Sequence, residues 1–108
     1  MAQIGPGLGL PHPTAIVIGE GVRIGRNVTV YQNVTLGTRD AQSRLYPTVG
    51  DEVIIYPGSV VVGNAAIGQR ARIGANSFVA RDVPAATTVM GSPAVSAKTP
   101  SLKAGDIQ

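Results

Sequence analysis

The side chain in this sequence best suited to chemistry is its single histidine, His12, which stands between two prolines. Pro11 and Pro13 restrict the backbone on both sides, so the imidazole is expected on a stiff corner of the fold. An imidazole changes charge near neutral pH and can take a proton from a hydroxyl group. His12 is therefore a candidate general base; the alternative from the residues alone is an ordinary exposed corner histidine.

A polar segment between Leu36 and Val49 is the second candidate site. It contains the string GTRDAQSR at residues 37–44 and then Tyr46. Loops that leave a rigid scaffold often carry binding residues. We expect a loop extruded from the body of the protein, serving either ligand binding or no function at all.

The elements that must position these residues follow a sixfold repeat. An aliphatic column and a column of smaller residues alternate through residues 49–83: Val49, Ile55, Val61, Ile67, Ile73 and Val79; Val53, Ser59, Ala65, Ala71, Ser77 and Val83. Each short strand then has two side chains on one face, and a corner of equal length follows it. Three repeats, each a strand and a corner, make one coil, and the coils stack as in a solenoid.

The period also covers the earlier part of the chain, with one interruption. Ile4, Leu10 and Ile16 follow it, the register slips by two positions at Ile18, and the period then continues to Leu36. After Val83 the pattern ends, and the segment at residues 84–94 is expected to cap the last coil.

Composition limits the class of protein. The 108 residues contain no Cys and four aromatic residues, and their net charge is +3. These counts exclude a disulfide framework and thiolate metal sites, and they leave open whether the charge attracts an anionic ligand or is simply solvated. No segment has the length of a membrane span or the pattern of a signal peptide. We therefore expect a cytoplasmic protein.

Five motifs in order carry a resemblance to a known family: HPTAIVIGEG, VTVYQNVTLG, YPTVGDEV, IGANSFVARDVP and TTVMGSPA. They resemble the hexapeptide-repeat acyltransferases, in particular the serine O-acetyltransferase branch and its relatives that acetylate sugars of polysaccharides. The resemblance implies an all-β fold: a single-stranded left-handed parallel β-helix of about five triangular coils with one extruded loop. It would cover residues 1–91, with a tail at 92–108. A homotrimer is also implied, and Val60, Val62 and Phe78 are expected as exposed apolar residues on the coil flanks.

The same resemblance implies transfer of an acetyl group from acetyl-CoA to a hydroxyl group, with His12 as general base. It places Thr14 and Tyr46 at the acceptor. The residues it implies for binding acetyl-CoA are Gly37, Pro57, Gly58, Ala75, Asn76, Arg81 and Lys98, with Arg70 and Arg72 as further candidates for its phosphates. A Gly37 amide would serve the developing oxyanion.

Departures from the serine acetyltransferase pattern concern the acceptor. Pro11 stands where these enzymes carry an aspartate, Tyr46 stands where they carry a second histidine, and their large helical domain has no counterpart in this sequence. We therefore expect a sugar or nucleotide-sugar hydroxyl as acceptor. A serine acetyltransferase without its helical domain and a non-catalytic β-helix remain alternatives.

Two other functions of β-helices fit less well. A carbonic anhydrase on this scaffold needs three histidines for its metal, and the sequence has one. Thr29 and Thr35, one repeat apart, are too few for an ice-binding array.

Overall fold

The computed structural model describes residues 1–40 and 42–97, so the candidate Lys98 lies outside the described residues. The described residues form thirteen strands and no helix. In chain order these are β1 (Gln3–Ile4), β2 (Val17–Ile18), β3 (Arg23–Ile24), β4 (Thr29–Val30), β5 (Thr35–Gly37), β6 (Thr48–Val49), β7 (Ile54–Ile55), β8 (Val60–Val62), β9 (Ala66–Ile67), β10 (Arg72–Ile73), β11 (Phe78–Val79), β12 (Thr88–Gly91) and β13 (Ala94–Ser96).

These strands form three sheets that are the walls of a prism. Wall A contains β1, β3, β6 and β9; wall B contains β4, β7, β10, β12 and β13; wall C contains β2, β5, β8 and β11. All pairings between these strands are parallel except that of β12 with β13. The predicted all-β parallel β-helix is confirmed.

Two sets of turns matter for function. The His12 corner joins wall B to wall C through residues 10–16, 31–34, 56–59 and 74–77. The loop corner joins wall C to wall A through residues 19–22, 38–47, 63–65 and 80–82. The remaining turns join wall A to wall B.

Strand pairing measures the length of each coil. Val17 pairs with Thr35, three sixfold repeats later, as the period predicts. Arg23 pairs with Thr48, which exceeds three repeats by seven positions, so the extruded loop lengthens its coil by that amount. The first coil is two positions longer than three repeats and the last is two shorter, from the pairings of Gln3 with Arg23 and of Arg72 with Thr88. The two extra positions of the first coil lie between Gly9, which bridges to Thr29, and Val17, so they belong to the turn that carries His12 and not to the strand at Ile18.

The core is the stack of inward-facing side chains. Its largest fully buried members include Leu36, Ile55 and Ile73, one in each of three successive coils. Ser59 and Ser77 are also buried, and both hydroxyls donate to the Gly74 carbonyl at 2.7 Å. Because these two buried hydroxyls are paired, their place in the small column costs little in desolvation.

The end of the chain departs from the coil pattern. Strand β13 begins beyond residue 91 and turns back antiparallel on β12, pairing Met90 with Val95. The expectation that Val62 is exposed was wrong: it is buried, because β8 continues past the column and pairs Val62 with Gly37 at the base of the loop.

Candidate functional site

His12 is exposed on a tight turn that the prolines around it shape. The Thr14 N–H donates to the His12 carbonyl at 2.7 Å, which closes a three-residue turn around Pro13. Ala15 follows with a φ of 55°, in the left-handed region. The Thr14 carbonyl accepts from the Asn33 N–H at 3.0 Å, which ties the turn to the next coil. The imidazole is thus presented to solvent on a fixed backbone.

Two tyrosines stand above His12 on the same corner. The rings of His12 and Tyr31 have centroids 6.5 Å apart and planes inclined by 34°, and the Tyr31 and Tyr56 rings stack at 5.4 Å and 11°. Arg72 Nη1 donates to Tyr56 Oη at 3.4 Å. Sequence reasoning missed Tyr31 altogether. The position of the two tyrosines in the repeat could have indicated that they are neighbours. Each is the first residue after an inward-facing strand residue, and the two lie on successive coils.

Four of the predicted cofactor residues also lie on the His12 corner. Pro57 and Gly58 are on the third coil, and Ala75 and Asn76 are on the fourth. Asn76 N–H donates to the Pro57 carbonyl at 2.9 Å, and Gly58 N–H donates to the Gln32 carbonyl at 3.1 Å. These two N–H groups already donate hydrogen bonds to the preceding coil. A ligand on this corner would therefore meet carbonyl oxygens and side chains rather than those N–H groups.

Both the backbone conformation and the packing at Gly58 exclude a side chain. Its φ is 77°, and a Cβ atom there would collide with the Asn76 carboxamide oxygen. The close approach of Asn76 to a residue without a side chain keeps the two coils in register at this point.

The structure places Gly37, Tyr46 and Arg81 on the loop corner, across wall C from His12. Gly37 ends β5 beside open space, and its carbonyl accepts from the Gly63 N–H at 3.0 Å. Arg81 is exposed two coils further along. The predicted residues therefore form two groups, and one chain does not bring Gly37 or Tyr46 to His12.

Tyr46 is half-buried and packs against the core. Its ring covers Gly19 and Gly21, where any Cβ would overlap it. Beside it is an open cavity of about 400 Å³, lined by Met1, Glu20, Gly21, Arg44 and Tyr46. The contacts account for a packing role, and acceptor binding by Tyr46 stays a prediction.

The loop before Tyr46 has its own internal order. Asp40 Oδ1 accepts from the N–H groups of Gln42 at 3.0 Å and Ser43 at 2.8 Å, and the hydroxyls of Thr38 and Ser43 are hydrogen-bonded at 2.5 Å. Such a carboxylate-centred turn stabilises the local backbone of the loop.

Arg70 and Arg72 line a second cavity of about 360 Å³ with Asn27, Thr29, Glu52 and Ile54. This cavity lies toward wall B, and Glu52 offsets part of its positive charge. Arg72 alone reaches from it to the His12 corner, through its contact with Tyr56.

Sixfold repeats wound into a three-walled parallel β-helix, with a histidine on one corner, define the class: the chain belongs to the hexapeptide-repeat transferases built on the left-handed β-helix. Residues 46–81 match the family model described as bacterial transferase hexapeptide, six repeats.

The relatives are serine acetyltransferases. The chain is 48% identical over 93 residues to the one from Staphylococcus xylosus, covering 85% of this chain and 43% of that protein. A soybean serine acetyltransferase complexed with serine superposes with a TM-score of 0.85 at 41% identity, over 89% of this chain and 40% of the other. A serine acetyltransferase in complex with CoA gives 0.83 and 41%, over 89% and 39%. The chain thus spans less than half the length of these relatives. The described residues contain no helix that could span a membrane.

Proposed function

We propose that this chain is the catalytic β-helix of an acetyl-CoA-dependent O-acetyltransferase in which His12 is the general base. The observation that carries the proposal is geometric: the single histidine is exposed on a rigid turn, and the corner above it offers a continuous line of residues over three further coils. The relative in complex with CoA supports the choice of acyl donor.

The acyl donor would lie along the His12 corner. Coils stack at strand spacing, so the three steps from His12 to Asn76 cover about 14 Å. That length suits a long, narrow ligand with its thioester beside His12 and its charged end toward the last coils. Pro57, Gly58, Ala75 and Asn76 would border this path. Arg72 is the candidate for the phosphates on this corner, and Arg81, which lies on the loop corner, would reach them only from a second subunit.

His12 would act on the acceptor hydroxyl. As the imidazole nitrogen takes the hydroxyl proton, the acceptor oxygen attacks the thioester carbonyl and a tetrahedral intermediate forms. The carbon–sulfur bond then breaks, and the imidazolium returns its proton to the departing thiolate. A backbone N–H near Gly37 would stabilise the oxyanion only if a second subunit brings the loop corner next to His12.

Two acceptor classes remain, each with an observation in its favour. Serine is favoured by the relatives, one of which is complexed with serine. A sugar hydroxyl is favoured by Pro11 and Tyr46. Pro11 stands in place of the aspartate and Tyr46 in place of the second histidine expected in the serine enzymes. Neither can pair with the charged groups of an amino acid as an aspartate and a histidine can. We keep the sugar as our proposal and serine as the alternative.

The test combines binding and turnover. Acetyl-CoA and CoA should raise the melting temperature of both the wild type and His12→Ala, because a ligand that binds only the folded state stabilises it. Thiol release from acetyl-CoA, followed with serine and with a panel of sugars, should fall by about 10²- to 10⁴-fold in the variant. A wild type that neither binds CoA at saturating concentration nor releases thiol would exclude the acyltransferase assignment in favour of a non-catalytic β-helix.

A further inference from the structure

The imidazole of His12 needs a partner that fixes its plane, and the sequence offers no carboxylate beside it. Pro11 precedes it, and its backbone turn uses only main-chain bonds and prolines. A free histidine side chain samples three staggered χ1 positions and two broad χ2 orientations. Only a fraction of these would present a nitrogen to the acceptor.

Tyr31 lies where such a partner is required. Its ring centroid is 6.5 Å from that of His12 with the planes inclined by 34°, within the range of attractive aromatic pairs. Tyr31 is half-buried on the next coil, and the hydrogen bond from Asn33 N–H to Thr14 joins the two turns two positions away. The backbones that carry the two rings are therefore held at a fixed separation.

Tyr31 is itself held from the other side. Tyr56 stacks on it at 5.4 Å with the planes nearly parallel, and Tyr56 Oη accepts from Arg72 Nη1. The three rings form a column, fixed at its far end by a guanidinium. Tyr31 has restricted freedom to turn away from His12, because doing so would break its stacking contact with Tyr56.

We propose that Tyr31 is a positioning residue that fixes the plane of the His12 imidazole through a tilted contact between the two rings, with Tyr56 and Arg72 holding Tyr31 in place. The proposal rests on the general-base role of His12. It assigns the orienting task to aromatic contact and not to a charged hydrogen-bond partner, so the ring of Tyr31 matters and its hydroxyl does not.

Nuclear magnetic resonance tests the contact without requiring activity. Because His12 is the only histidine, its imidazole protons give one identifiable set of resonances. Tyr31→Leu should move these resonances toward those of an unstructured histidine, whereas Tyr31→Phe should leave them near their wild-type positions. Phe78→Leu is the matched control, because it removes an aromatic ring from wall C and keeps an apolar side chain there. Once light scattering shows an unchanged assembly, its His12 resonances should be unmoved.

Turnover tests the consequence. Tyr31→Leu should lower kcat by about three- to sixfold, the number of side-chain orientations that become available, whether or not lost contacts with the acyl donor on the same corner also change the KM for acetyl-CoA. Tyr31→Phe should restore kcat. If Tyr31→Leu does not fold, Tyr56→Leu should give the same changes at smaller size.

Unmoved His12 resonances in Tyr31→Leu would overturn the proposal, as would equal losses of kcat in the Leu and Phe variants. A wild type without transferase activity would instead reject the proposed function, and the resonance comparison would then decide alone whether Tyr31 fixes the imidazole.

Discussion

Ala15 closes the turn that carries His12 with a φ of 55°, a conformation in which a Cβ atom is crowded by the backbone. Ala15→Gly should therefore stabilise the protein by about 0.5–1 kcal/mol, because the strain removed exceeds the entropy that glycine adds to the unfolded chain. Urea unfolding of the two proteins measures the difference.

Ala75 supplies the control for this prediction. It lies on the same corner two coils beyond Tyr31 and is not among the residues with positive φ. Ala75→Gly should therefore destabilise the chain by about 0.5–1 kcal/mol, through entropy alone. Equal shifts of the same sign in both variants would show that the φ of Ala15 has no bearing on stability.

At the scale of single residues, the sequence identified a candidate from its residue type but did not predict contacts between residues on different coils. His12 was identifiable because it is the only histidine and stands between prolines. The contact with Tyr31 was not, because it joins two successive coils and depends on the turn between Gly9 and Val17, which is two residues longer than its counterpart on the next coil. The sequence also did not indicate that the Tyr46 ring would pack against Gly19 and Gly21.

Asp82 maintains the hydrogen bonding of wall A where the last coil is shorter than the others. The last coil is two positions short on wall A, where Ile67 bridges to Val83, and the Asp82 carboxylate accepts from the Ala66 N–H at 2.8 Å. The Val83 N–H donates in return to the Ala66 carbonyl at 2.9 Å. A side chain thus supplies one acceptor of the wall A ladder.

Asp82→Ala should therefore destabilise the protein by about 0.5–1.5 kcal/mol, the net value of a typical hydrogen bond. Asp82→Asn keeps an oxygen acceptor and should lose less than half as much. Thermal or urea unfolding compares the two with the wild type. A loss in Asp82→Asn as large as that in Asp82→Ala would point to the charge of the carboxylate and not to its bond with Ala66.

The elements themselves were largely predictable from the sequence. Sixfold periodicity identified the inward residues and the offset of three repeats between paired strands, because burial selects one side chain in every second position of each short strand. It could not tell how coils are joined across an insertion, since the spacing from Leu36 to Val49 fits an insertion of either one position or seven. The period could not predict the β12–β13 hairpin, because the antiparallel strand β13 does not follow the sixfold repeat.

At the scale of the whole molecule, the candidate residues lie on two corners separated by wall C. The outward side chains of this wall are Val17, Thr35, Val60 and Phe78, in register across its four strands. Val17 is 56% exposed. The corresponding positions of wall A are Gln3, Arg23, Thr48 and Ala66. Wall C is therefore the more apolar of the two.

A homotrimer would resolve this separation, because a cyclic interface joins two different surfaces and would set the loop corner of one subunit against the His12 corner of the next. We predict that wall C lies in that interface. Phe78→Glu should then dissociate the trimer, since an unpaired carboxylate in an apolar contact costs several kcal/mol, or about a hundredfold or more in the dissociation constant.

Light scattering on size-exclusion fractions measures this assembly, and circular dichroism checks that each variant is folded. Ile54→Glu is the matched control, because Ile54 is also half-buried and points outward, but from wall B. It should leave the trimer intact, while Phe78→Glu yields folded monomers with little thiol release. An active wild-type monomer would show that one chain completes the site alone. An intact trimer in Phe78→Glu would move the interface away from wall C, and dissociation by both variants would show that the effect is not specific to that wall.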